Sequence, residues 1–118
     1  MNDFNSPAHS ADTAAEAIRT FNHQTRSSGP DWEYPSHAYD VVGGLSMAAM
    51  MLPQALEQTN NLIADLHSAG HVKADNGLTD ERVSAALEGL SDAQFAARSL
   101  YEALQRTQNA LGGLAYKE

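Results

Sequence analysis

Residues 38–66, AYDVVGGLSMAAMMLPQALEQTNNLIADL, carry an apolar or small side chain at alternating steps of four and three: Ala38, Val42, Leu45, Ala49, Leu52, Leu56, Thr59, Ile63, Leu66. Residues 86–114, ALEGLSDAQFAARSLYEALQRTQNALGGL, repeat the pattern through Ala86, Leu90, Ala93, Ala97, Leu100, Leu104, Thr107, Leu111 and Leu114. A mean step of about 3.5 residues keeps one stripe of a helix against a neighbouring helix over many turns. The spacing predicts an all-α fold: a long antiparallel helical hairpin, preceded by a short or disordered N-terminal segment and dimerising into a four-helix bundle.

Local signals place the ends of the two helices. The first is expected over 36–69, with Ser36 as N-cap after Pro35 and Gly70 as a left-handed stop. Pro53 removes the amide that would bond Ala49, so a kink is expected near it. GHVKADNG supplies a loop over 70–78. The second helix is expected over 79–111, with Thr79 as cap, Asp80 and Glu81 in the first turn, and Gly112 and Gly113 as its end. A further start signal at Ser91–Gln94 does not shift the phase of the stripe, so one continuous helix is expected. Residues 1–35 read as a flexible segment with a short helix at 12–21 that shows Ile18 and Phe21 on one side. The stretch SSGPDWEYPS then stops any helix through Gly29, Pro30 and Pro35.

Composition narrows the function classes. At 118 residues the chain holds one domain at most, and residues before Tyr34 are too polar to supply much core. A formal charge of −8, from 7 basic and 15 acidic residues, disfavours direct binding to nucleic acid or to an anionic membrane. The absence of cysteine excludes disulfides and thiolate chemistry. MNDFNSPAHS has neither the basic start nor the apolar core of a signal peptide. The longest greasy run, Val41–Leu52, is well short of the roughly 20 residues a membrane span needs. A cytoplasmic protein is expected.

No residue set forms a catalytic or cofactor signature, so no enzyme, no cofactor and no small-molecule substrate is expected. His67 and His71 have a zinc-compatible spacing, but Gly70 should end the helix between them and no His-Glu-x-x-His glutamate is present. His37 and Asp40, one turn apart beside Tyr34 and Tyr39, read as helix-start residues in preference to an acid–base pair. The outer face of the first helix is less ordinary. Gly43, Gly44, Met47, Met50 and Met51 stand where a solvated helix carries Lys and Glu, and no Lys or Arg occurs from Ser27 to Val72. With the aromatic residues Trp32, Tyr34 and Tyr39 they form the expected partner-binding set. The expected function is a non-enzymatic helical interaction module that forms a homodimer or pairs with a helical partner. The alternative is an acidic regulator, antitoxin-like or a nucleic-acid mimic, occupying a basic site on its partner.

A column recurring every seven residues runs beside each stripe, Val41, Ala48, Ala55, Leu62 in the first helix and Gly89, Ala96, Ala103, Ala110 in the second, where the small side chains make a smooth stripe suited to tight packing. A constant shift of 48 residues relates the two stripes and also aligns QALEQTNN with EALQRTQN. Duplication and convergence of two Ala/Leu-rich seams both account for it. Over residues 36–111 the expected architecture resembles the WXG100 family of small secreted helical hairpins. That family's Trp-x-Gly turn is replaced here by HSAGHVKADNGL, the only Trp is Trp32, and no Tyr is followed four residues later by an acid near the C-terminus. What the resemblance implies is therefore confined to the helical architecture.

Overall fold

The computed structural model describes residues 5–26, 29–75 and 77–118, apart from the Asp31 side chain. Of the segment read as flexible, residues 1–4 and 27–28 fall outside the described residues, as does Asn76 of the connecting loop. All regular structure among the described residues is helical: α1 (Pro7–Gln24), a 3-10 turn (Pro30–Trp32), α2 (Pro35–Ser68) and α3 (Thr79–Leu111). The chain divides into two compact units, Met1–Tyr34 and Pro35–Glu118. No helix among the described residues is long and apolar enough to cross a membrane.

In the first unit, α1 is 18 residues long and exceeds the 12–21 expected from sequence. The reason lies in Ser6-Pro7, a start signal that outranks Asp12. The Ser6 hydroxyl accepts the His9 N–H at 3.0 Å, and Pro7 occupies the first turn, where its missing amide leaves no bond unmade. An ion pair between Arg19 and Glu16 lies along the exposed surface of the helix. At the other end, Thr25 donates both its N–H and its hydroxyl to the Phe21 carbonyl.

The second unit is built on α2 and α3. Pro35 opens α2, again at a position where a proline forfeits no helical bond, so Ser36 lies inside the helix and is not its cap. Pro53 stands within α2, which continues through it as one element. At the C-terminus Gly70 adopts φ +78, the Gly70 N–H bonds the His67 carbonyl, and the His71 N–H reaches back to that of Leu66 at 2.9 Å. This is the Schellman arrangement, which satisfies two orphan carbonyls through a left-handed residue. Thr79 does not cap α3. The cap position belongs to Leu78, without a side-chain bond, and the Thr79 hydroxyl accepts the Ala74 N–H at 3.0 Å, tying the loop to the helix start. Asp80 and Glu81 do occupy the first turn, on the positive end of the helix dipole.

Inter-helix contacts pair ascending numbers on α2 with descending numbers on α3. The ring of Tyr39 lies against Gly112, where a Cβ would come within 3.4 Å of its Cε2, and Gly43 lies under the Gln108 amide. Gln105 Nε2 donates to Ser46 Oγ at 2.9 Å, Asn60 Nδ2 donates to the Leu87 carbonyl at 3.2 Å, and His67 Nε2 stands 3.1 Å from Asp80 Oδ1. The two helices are thus antiparallel neighbours.

Burial corrects the phase of the expected seam. On α2 the residues turned toward α3 are Val42, Ser46, Ala49, Pro53, Leu56, Asn60, Ile63 and His67; on α3 they are Val83, Leu87, Leu90, Gln94, Ala97, Tyr101, Leu104, Gln108 and Leu111. Both series keep alternating steps of four and three. Eight of the eighteen expected positions are shared and Ala38, Leu45 and Ala93 are partly covered, but Leu52, Thr59, Leu66, Leu100 and Thr107 are exposed while their successors Pro53, Asn60, His67, Tyr101 and Gln108 are covered. One turn of helix holds 3.6 residues, so a one-residue step is about 100°, and with the shared positions kept the contact as a whole turns by about 50°. Polar residues are tolerated in the contact because they find partners: Ser46 with Gln105, Asn60 with the Leu87 carbonyl. Only Ser46, Ala49 and Ala97 are fully buried among the described residues, so small side chains hold the centre of the pair.

Candidate functional site

The rotated contact leaves a second stripe on each helix that is open over most of its length, with Ala38, Val41 and Leu45 of α2 and Ala93 and Ala103 of α3 partly covered. On α2 it runs Ala38, Val41, Leu45, Ala48, Leu52, Ala55, Thr59, Leu62, Leu66; on α3 it runs Ala86, Gly89, Ala93, Ala96, Leu100, Ala103, Thr107, Ala110. These stripes again advance by alternating threes and fours, so each is a complete helical seam in its own right. Leu52, Leu62, Leu66 and Leu100 on them are 42, 58, 39 and 47% exposed, and no other leucine within α2 or α3 is exposed.

Both stripes lie on the same side of the pair. Gly43, Met47 and Met50 of α2 share a small cavity of about 160 Å³ with Tyr101, Gln105 and Gln108 of α3, so those flanks of the two helices adjoin. The flanks carrying Leu45 and Leu52 on α2, and Ala93 and Leu100 on α3, therefore adjoin on the opposite side. Charge follows the same division. Asp40, Glu57 and Asp65 of α2, with Glu88, Asp92, Arg98, Glu102 and Arg106 of α3, all fall outside the two stripes. At the loop end Arg82 enters that side, where Lys73 and Asp75 also stand. Away from that end, from Ala38 to Leu66 and from Ala86 to Ala110, the two helices jointly form a charge-free face.

At the loop end of this face a cavity of about 440 Å³ is lined by Ile63, Val83 and Ala86, by Arg82 and Thr79, and by loop residues Val72–Asp75. Sequence reasoning missed it, and also missed Leu52, Leu62, Leu66 and Leu100 as surface residues. The column of small residues beside each stripe was the available signal. It marks the outer edge of a second seam.

The partner-binding candidates are divided between the two units. Trp32, in the 3-10 turn, and Tyr34, 43% exposed, belong to the first. Tyr39, Gly43, Gly44, Met47, Met50 and Met51 belong to α2 of the second, where the three methionines are exposed and Gly43 is half-covered. Met47 and Met50 thus form a smaller apolar patch on the side away from the leucines, and Met51 stands one turn from Ala48 and Ala55 of the stripe. His67 faces Asp80, while the His71 backbone closes the end of α2, and no cluster of three metal-ligating side chains occurs among the described residues. No buried polar side-chain atom among the described residues lacks a partner, so none is aimed into a cavity awaiting a ligand.

No family model matches the chain, and neither a curated protein nor a solved structure does. The likeness to the WXG100 hairpins accordingly rests on helical architecture alone.

Proposed function

We propose that this chain is a non-enzymatic helical interaction module, a helical hairpin that pairs with another helical surface through the apolar side of α2 and the adjoining side of α3. The observation that carries this reading is the charge-free two-helix face. In a chain of net charge −8, a water-facing helix side of this length accumulates charge, yet from Ala38 to Leu66 and from Ala86 to Ala110 this one has none. A face free of charged groups loses little hydration when covered, and its exposed leucines gain by leaving water. The methionine patch with Tyr39 is a second contact area on α2. Its unbranched side chains adapt to irregular partners.

Site-specific photo-crosslinking in the native cell tests the reading. A benzophenone side chain at position 62 or 100 is expected to give adducts of discrete mass, and one at Gln54 or Glu102, on the side away from the stripes, none. Equal labelling from both sides, or none from either, contradicts it.

A further inference from the structure

We infer that the occupant of the charge-free face is a second copy of this chain, set so that α2 of each copy lies over α3 of the other. This deepens the interaction-module reading and rests on it. The argument begins with the unequal relief of the two stripes. That of α2 is a ridge of large side chains: Val41, Leu45, Leu52, Leu62, Leu66. That of α3 is a shelf on which Gly89, Ala93, Ala96, Ala103 and Ala110 let another backbone approach closely, Leu100 being its one large member. Ridge against ridge leaves gaps between opposed leucines, and shelf against shelf leaves voids. Ridge on shelf fills both, and one operation achieves it twice: a two-fold axis parallel to the helices exchanges α2 and α3 across the interface, keeps neighbours antiparallel and closes the assembly.

Area and charge agree with this occupant. The stripes run about 42 Å on α2 and about 36 Å on α3, along helices roughly 10 Å apart, a footprint on the order of 800 Å² per copy. A stable interface takes about 800 Å² from each partner. Two chains of charge −8 repel, but the charged groups lie away from the contact, where water and salt screen them. The chain's own α1 is a poorer cover. At 18 residues it is about 27 Å long, and Ile18 and Phe21 are its only large apolar side chains.

The chain lacks cysteine, which permits a direct test. Ala55 and Ala96 are both exposed, on the ridge and on the shelf, and their numbers sum to 151, against 151 for Ser46–Gln105 on one side of them and 147 for Asn60–Leu87 on the other, so the two positions lie within about one helical turn of the same height. A mixture of A55C and A96C chains under mild oxidation is expected to yield the mixed disulfide well above either homodisulfide. Sedimentation equilibrium is expected to give a mass near twice 12.7 kDa for the unsubstituted chain, and 12.7 kDa with unchanged helicity for L62E. A predominant A55C homodisulfide overturns the ridge-on-shelf arrangement. An unsubstituted chain that sediments as a monomer, or an L62E dimer, overturns self-pairing through this face. If that monomer still gives position-62 adducts with other proteins, the interaction-module reading stands without self-pairing; if it gives none, both fail.

Discussion

Single residues carry opposite signs of conformational cost in this chain. Gly70 sits at φ +78 with open space around its missing Cβ, so replacing it tests backbone conformation alone. An L side chain in the left-handed region costs about 1–2 kcal/mol, so G70A is expected to lower unfolding stability by about 1 kcal/mol in urea titration. Gly44 also has nothing within 4 Å of a built Cβ, but it lies inside α2 with ordinary helical geometry. G44A is therefore expected to raise stability by roughly 0.5–1 kcal/mol in the same titration, because alanine restricts the unfolded chain and favours the helix. These two substitutions separate a glycine required by its turn from one the fold does not need.

At the scale of elements, the centre of the α2–α3 pair depends on small side chains and one buried polar contact. Ala97 is 6% exposed and packs where the helices are close, so A97L is expected to destabilise by about 1–3 kcal/mol through overpacking. S46A removes the acceptor of Gln105 Nε2 and is expected to cost about 1 kcal/mol by thermal or urea unfolding. The helices themselves were legible in the sequence because stops and starts are local: Gly70 closes α2 as its flanking residues imply, and Asp80 and Glu81 open α3. The cap at Thr79 was misread because its hydroxyl serves the amide of Ala74 five residues back, a loop conformation that local patterns do not encode. Which edge of each helix meets the other was misread for a different reason. Periodicity locates the middle of an apolar arc, and in α2 that middle lies near Leu45, Leu52 and Leu66. The pair instead uses the edge that holds Ser46, Pro53 and Asn60, whose polar groups look solvent-facing until their partners on α3 are known.

At the scale of the molecule, that offset is the main functional clue. An isolated pair of helices would turn the centre of each apolar arc inward. Here each arc is shared between a sister helix and an open side, the division expected of a helix with two neighbours in a four-helix bundle. Met47, Met50 and Met51, three of the eight partner-binding candidates, depart from the composition of a solvated helix side and lie on the surface. The larger face is hidden from periodicity because Leu45, Leu52, Leu66 and Leu100 fit the expected seam as well as they fit an open side.

Thermal unfolding of the full chain over a hundredfold range of protein concentration tests the central claim most directly. Association that stabilises only the folded state makes the midpoint depend on concentration. Self-pairing through the charge-free face predicts a midpoint that rises with concentration for the unsubstituted chain and stays constant for L62E. A midpoint independent of concentration in both chains, or an equal rise in both, contradicts it.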